Sequence, residues 1–223
     1  MGIVRMGVPE DIVTFIKNQF NISSFIETGT FKGETAAWAS NFFNIIHTIE
    51  FSKKIFINTK NNYSHISNIN FLFGDSRKIL KDILPESSQS IIWLDAHWCA
   101  SGSYGETDQC PLIEEINLIN SFDKDHFILI DDARLFLAPP PLPNSTKYYP
   151  DITELIIKLN NGKRKIYVFE DVIIAVPEFA AKTFQPFMQN KTTLNWRYPT
   201  DKLAHSKWLK SKYHLKEILQ LWL

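Results

Sequence analysis

Cysteine is scarce in this chain, its formal charges cancel, and no apolar run reaches the length of a membrane span. Two cysteines, Cys99 and Cys110, cannot supply a disulfide framework. A zinc site built from His97, Cys99 and Cys110 would lack a fourth ligand and the usual Cys-x-x-Cys pair. Lys+Arg and Asp+Glu are both 24, which argues against a nucleic-acid surface as the main business. With no stretch near the roughly 20 apolar residues of a transmembrane helix, no membrane span is expected. The first residues, Met1-Gly2-Ile3-Val4-Arg5, lack a signal peptide's apolar core, and Met6 stands where a myristoylation signal needs Ser or Thr. The expectation from these absences is a soluble, cytoplasmic protein.

Two missing glycine patterns narrow the ligand. The run Phe25-Ile26-Glu27-Thr28-Gly29-Thr30-Phe31-Lys32-Gly33-Glu34-Thr35 reads as strand, tight turn and helix, the unit that opens a nucleotide-binding α/β domain. A dinucleotide fingerprint requires Gly-x-Gly-x-x-Gly, but Glu27 occupies its first glycine position and would repel a diphosphate. No Gly-Lys-Ser/Thr follows, so a Walker loop is excluded as well. An acid in this turn suits a cationic ligand, such as the amino group of an amino-acid moiety. Gly29 is expected to let the backbone pass close to that ligand, and Gly33 to let helix and strand pack.

The rest of the chain repeats the plan. At 44% hydrophobic and 223 residues, it can build one large α/β domain with a full core. Ile45 to Glu50, Asn70 to Asp75, Ser90 to Asp95 and His126 to Asp132 are apolar runs ending in acids, with helical segments between them. Continuous apolar strands alternating with helices indicate a parallel sheet covered on both faces. Lys165–Phe169 and Val172–Val176 are separated only by Glu170-Asp171, too short a link for a crossover, so they are expected to form an antiparallel hairpin. The domain is expected to cover 1–223: an N-terminal helix over 9–20, a core over about 22–177 and a helical extension over 178–223. From Asp201 that extension is basic and amphipathic, and it reads as docked on the body or as a homodimer contact. The polar loop His97–Gln109 and the proline-rich insert Arg134–Pro150 leave the carboxyl edge and are read as mobile walls of an acceptor pocket.

Glu27-Thr28-Gly29-Thr30-x-x-Gly33 resembles the first motif of class I S-adenosylmethionine-dependent methyltransferases, and the likeness runs from about Ser24 to Val176. It implies a Rossmann-like doubly wound sheet of order 3-2-1-4-5-7-6, with S-adenosylmethionine at the carboxyl ends of the strands. Glu27, Thr28, Gly29, Thr30 and Gly33 would form the cofactor loop. Glu50, about twenty residues further on, can accept hydrogen bonds from both ribose hydroxyls. Asp75, with Ser76 beside it, resembles the family's adenine-side acid; its other reading is a cap on the following helix. Asp95 would border the cofactor from strand four.

Asp95, Asp131 and Asp132 would meet at one edge if strands four and five are neighbours, as this resemblance implies. Three unpaired carboxylates repel, and a hard cation such as Mg²⁺, Mn²⁺ or Ca²⁺ would relieve them. The pattern is similar to that of the metal-dependent macrocin-type sugar O-methyltransferases, with Asp95-Ala96-His97 replacing the commoner acid pair. The alternative is that Asp131 or Asp132 caps a turn or pairs with Arg134 or Arg77. His97 is the candidate base towards the acceptor hydroxyl, with Asp95 the next candidate; the other reading of His97 is packing beside Trp98 or a hydrogen bond to a backbone carbonyl. The expected activity is O-methylation of a sugar, nucleotide sugar or other polyhydroxylated small molecule. A hydroxylase-like enzyme on the same scaffold and a non-catalytic nucleotide-binding module are the alternatives.

Overall fold

A computed structural model describes residues 7–97 and 108–197. Most of the loop His97–Gln109, Cys99 included, and the basic segment from Asp201 lie outside them. The chain divides into two compact units, one reaching Phe179 and one beginning at Ala180. In the second, the described part belongs to the helix α8 (Glu178–Arg197), which carries Pro186 in its interior.

The first unit is a seven-stranded sheet of order β3-β2-β1-β4-β5-β7-β6. Its strands are β1 (Ser24–Thr28), β2 (Ile45–Glu50), β3 (Ile69–Phe73), β4 (Ser90–Leu94), β5 (Phe127–Ile130), β6 (Arg164–Phe169) and β7 (Val172–Pro177). The first five run parallel, and β7 pairs antiparallel with both β5 and β6. The expected strand order and hairpin are both present. The helices are α1 (Glu10–Phe20), α2 (Glu34–Ala39), α3 (Lys53–Asn62), α4 (Ser76–Ile83), α5 (Leu112–Ser121), α6 (Arg134–Leu137) and α7 (Ile152–Asn160).

The central strands are apolar on both faces because both faces are covered. Ile26, Ile92, Ile128 and Ile130 join Leu80 of α4, Ile116 of α5 and Leu155 of α7 in one cluster. The alternate residues Phe25, Trp93, Phe127 and Leu129 are equally buried. On their side Phe20 of α1 sets its ring 5.1 Å from that of Phe127. Among the described residues no helix is long and apolar enough to cross a membrane.

The insert Arg134–Pro150 departs from the expected loop. It contains α6 and a 3₁₀ turn at Thr146–Tyr148, and Leu135, Phe136 and Tyr149 are buried in the core cluster. Gln109 Oε1 accepts from the backbone N–H of Ser145 at 2.8 Å. The prolines hid two aromatic anchors that tie the segment down.

The two edges of the sheet differ in character. At the amino edge, Arg164 donates to the carbonyls of His126 and Leu159 and to Asn120 Oδ1. Lys124 Nζ donates to three carbonyls at the end of α4, those of Leu84, Pro85 and Ser87. The acids gather at the carboxyl edge.

Candidate active site

Register alone brings the carboxyl-edge residues together. Thr28 pairs with Leu94, and Leu94 with Ile130. The ladder continues one step further: Asp95 N–H donates to Thr28 O at 3.0 Å, and Asp131 N–H to Leu94 O at 3.1 Å. Gly29, Asp95 and Asp131 are therefore level with one another. Gly29 has φ +88°, and a Cβ there would lie 2.4 Å from the carbonyl oxygen of Asp95. The glycine is thus required by the neighbouring backbone, independently of any ligand. Gly33, the left-handed residue before α2, admits Thr59 of α3 and Tyr63 at its C-cap, whose atoms would be 2.5 and 3.0 Å from an added Cβ.

Glu27 lies inside β1, buried, and does not end the strand. Thr48 Oγ1 donates to Glu27 Oε2 at 2.6 Å and lies 2.6 Å from Thr30 Oγ1. Burial above all pushes the Glu27 carboxyl from 4.5 up to about 8; Asp95 and Glu50 add to this, and hydrogen bonds from Thr48 and Thr35 oppose it. Between those values the folded protein keeps a proton that the unfolded chain has released, so stability falls as pH rises through that window. His126, held down to about 4 mainly by burial, works in the opposite sense only below its ordinary 6.5. Glu115 and Asp131, both raised to about 7, titrate before Glu27. The melting temperature of the protein without added ligand is therefore expected to fall between about pH 6.5 and 8. Glu27→Gln should flatten the upper part of that slope. An unchanged slope would show that Glu27 does not carry the proton.

Glu50 ends β2 and ties two loops together, accepting from Phe31 N–H at 3.0 Å and Ser52 N–H at 2.7 Å. Each contact leaves an oxygen lone pair for a further donor. Burial raises its pKa despite these backbone hydrogen bonds. Phe31, at 60% exposure, stands at the rim beside it.

Asp75 is the N-cap of α4. It accepts from Arg77 N–H at 3.0 Å and from Arg77 Nε and Nη2 at 2.9 and 2.8 Å. The Arg77 side chain holds its carboxyl below the usual range. The capping reading of Asp75 is thus present in the structure. Thr28 and Ser76 are buried, and the hydroxyls of both lie against the carboxyl of Glu115 on α5. Glu115 is 1% exposed, and burial raises its carboxyl to about 7 even though hydrogen bonds from Ser76 and Thr28 oppose this.

The remaining acids form a chain through His97. Nε2 of His97 is 2.7 Å from Asp132 Oδ2, and Nδ1 is 3.5 Å from Asp95 Oδ1. Arg134 Nη1 is 2.7 Å from the other oxygen of Asp132. Burial raises Asp132, but hydrogen bonds and charge from His97 and Arg134 more than offset it, leaving its pKa lowered. Asp95 is pushed up to about 6 and Asp131 to about 7, each mainly by burial, with repulsion from neighbouring aspartates added. A proton on Nε2 directed at Asp132 leaves the neutral ring's lone pair on Nδ1.

This donor set was expected to suit a divalent cation. The three aspartates do converge, but His97 and Arg134 already engage both oxygens of Asp132, and Asp131 Oδ1 accepts from Asp132 N–H at 2.8 Å. Among the described residues, no group of three or more His, Cys, Asp or Glu side chains is arranged to hold a metal ion. The side chains as placed do not fit the ion.

Sequence reasoning did not single out Thr48 or Asp171, which hold Glu27 and Arg134 in place. A threonine inside a strand and an acid in a hairpin turn carry no sequence signal of their own. Only the register β1–β2 and β5–β7 identifies their partners.

The strand order and reversed strand β7 define a class I methyltransferase fold. No protein-family model matches the chain, and no curated protein matches it. Solved structures do resemble it. One is the O-methyltransferase TomG of Streptomyces achromogenes, involved in tomaymycin synthesis and solved in complex with S-adenosylmethionine. It has a TM-score of 0.56 and 13% identity over 78% of this chain and 82% of that one. Another is a Podospora anserina methyltransferase bound to S-adenosylhomocysteine, with a TM-score of 0.54 and 16% identity over 78% and 80% of the two chains.

Proposed function

We propose that this protein binds S-adenosylmethionine at the carboxyl ends of β1 to β4 and transfers its methyl group to an oxygen of a small-molecule acceptor. The observation that carries the reading is the Asp132–His97–Asp95 chain, level with Gly29 at the edge where this fold takes its ligands. In the proposed reaction the acceptor oxygen attacks the methyl carbon in line with the sulfonium. The C–S bond breaks with its electron pair left on sulfur, giving S-adenosylhomocysteine, and the hydroxyl proton passes to His97 Nδ1. Asp132 holds the ring in the required tautomer, as the buried acid does in a catalytic triad. Orientation of acceptor, methyl and sulfur supplies much of the acceleration.

Glu27, Thr28, Gly29, Thr30 and Gly33 form the proposed cofactor loop, with Glu27 facing the ligand's ammonium. Glu50 takes the ribose, and Asp75 and Ser76 the adenine side. The acid pattern's likeness to sugar O-methyltransferases supports a sugar, nucleotide sugar or other polyhydroxylated acceptor. The same likeness includes a divalent cation. Because the donors as placed do not fit one, no step here passes through it.

The test is calorimetry with S-adenosylhomocysteine. Wild type should bind it, and Glu50→Ala should weaken binding roughly ten- to a hundredfold, the loss expected when charge-assisted hydrogen bonds of about 1.5–3 kcal/mol are removed. Selective binding of NAD, or of no nucleotide, would favour another enzyme on the scaffold or a binding module.

A further inference from the structure

The hairpin turn Glu170-Asp171 lies at the same edge as His97, and antiparallel register puts it there. Ile130 of β5 pairs with Ile173 of β7. Asp132 is two residues beyond the one, and Asp171 two residues before the other, so the two acids face each other across the end of the sheet. Arg134 bridges them. Its Nη1 contacts Asp171 Oδ2 and also Asp132 Oδ1. Asp171 holds this arginine by its backbone as well. Arg134 N–H donates to Asp171 Oδ1 at 2.9 Å, and Ala133 N–H to the Asp171 carbonyl at 2.8 Å.

The surrounding backbone is unusual in the same places. Asp132 has φ +56°, Glu170 +52° and Asp171 +87°. Non-glycine residues adopt this region at a cost and persist there only where their surroundings over-determine them. The Asp171 side chain is 8% exposed, against 46% for Arg134. The acid is therefore the fixed end of the bridge, and the arginine is the part that would wander without it.

We propose that Asp171 is a positioning residue of the active site: through Arg134 it fixes the carboxylate of Asp132, and so the tautomer and orientation of His97. The inference rests on the proposed role of His97. It gives the reversed strand β7 a function as well as a place in the fold, because only an antiparallel return delivers Asp171 to the end of β5.

Nitrogen NMR of protein carrying ¹⁵N-labelled histidine, saturated with S-adenosylhomocysteine, tests this, with the His97 signals assigned from the His97→Ala spectrum. In wild type the two ring nitrogens should give well-separated resonances, with the proton on Nε2. Asp171→Asn and Arg134→Gln should each draw the two resonances towards a common average, and the double variant should go no further than either single one. Coupled residues behave this way, whereas independent ones add. Asp171→Glu, which restores the carboxylate, should recover most of the separation. Affinity for S-adenosylhomocysteine should stay within about twofold throughout, since Asp171 lies beyond the cofactor loop. A wild-type pattern in Asp171→Asn with a changed one in Arg134→Gln would overturn the role of Asp171. If Asp171→Asn fails to fold, Asp171→Glu decides: averaged resonances in a folded Asp171→Glu protein would count against positioning through the charge. Failure of wild type to bind S-adenosylhomocysteine would instead overturn the proposed function, and the tautomer comparison could still be made on the protein alone.

Discussion

Replacing His97 by alanine is expected to slow methyl transfer by about 10²–10⁴-fold, the usual worth of a positioned base. Affinity for S-adenosylhomocysteine should hardly change, since the imidazole is engaged with Asp132 and Asp95 and not with the cofactor loop. Asp132→Asn should be about as damaging, because an amide can donate to Nε2 and so favour the wrong tautomer; the comparable change in a serine-protease triad costs about 10⁴. Single-turnover rates with and without EDTA complete the measurement. With one oxygen of Asp132 hydrogen-bonded by His97 and the other paired with Arg134, the rate should survive chelation. Loss of turnover in EDTA would show that an ion displaces one of them. Full activity in His97→Ala would move the base to Asp95.

The largest effect on stability is expected from Gly29→Ala. The residue sits at φ +88°, where an L side chain is strained by about 1–2 kcal/mol. The new methyl would also lie 2.4 Å from the Asp95 carbonyl, a backbone atom in the middle of the sheet that cannot turn aside. Overpacking of this kind costs typically about 1–3 kcal/mol more. A total of about 2–5 kcal/mol corresponds to a melting temperature lower by roughly 5–15 °C in a chain of this size. Relief of the clash would move Asp95, so the residual folded protein should also lose activity. A melting temperature within about 2 °C of wild type would show that the ends of β1 and β4 can separate without loss of packing.

The same position shows what a sequence can and cannot convey. Gly29 was legible as a special residue, but one reason for it was not: the close approach of Asp95, a partner known only once β1 and β4 are paired. The hairpin was legible because two residues between apolar runs admit no other connection. The alternation of apolar runs and helices conveyed the sheet, because strands buried on both faces have no polar alternation to confuse with a surface strand. Strand order came from resemblance alone. Glu27 was read as the acid in the turn that closes the apolar run, yet it and Thr28 are both buried inside β1. The proline-rich insert was read as a loop because prolines dominate its composition, while Phe136 and Tyr149 supply the packing. The chain from Asp171 to His97 was illegible for a general reason. Its members lie far apart in sequence, and each is an ordinary polar residue until register brings them into contact.

The contrast between the two edges of the sheet has a consequence for selection. At the amino edge the buried cation Arg164 and the half-buried Lys124 find carbonyl acceptors. At the carboxyl edge Glu27, Asp95, Glu115 and Asp131 all bind protons more tightly in the folded chain than they would in water, mainly because burial disfavours their charge. Near neutral pH those four acids oppose folding, and a neutral amide or apolar replacement at such a position relieves that opposition. A library of variants ranked by heat resistance alone would therefore enrich changes along this edge, drifting towards robust proteins that have lost the proposed chemistry. Activity and stability should trade against each other along one side of the sheet and vary independently along the other.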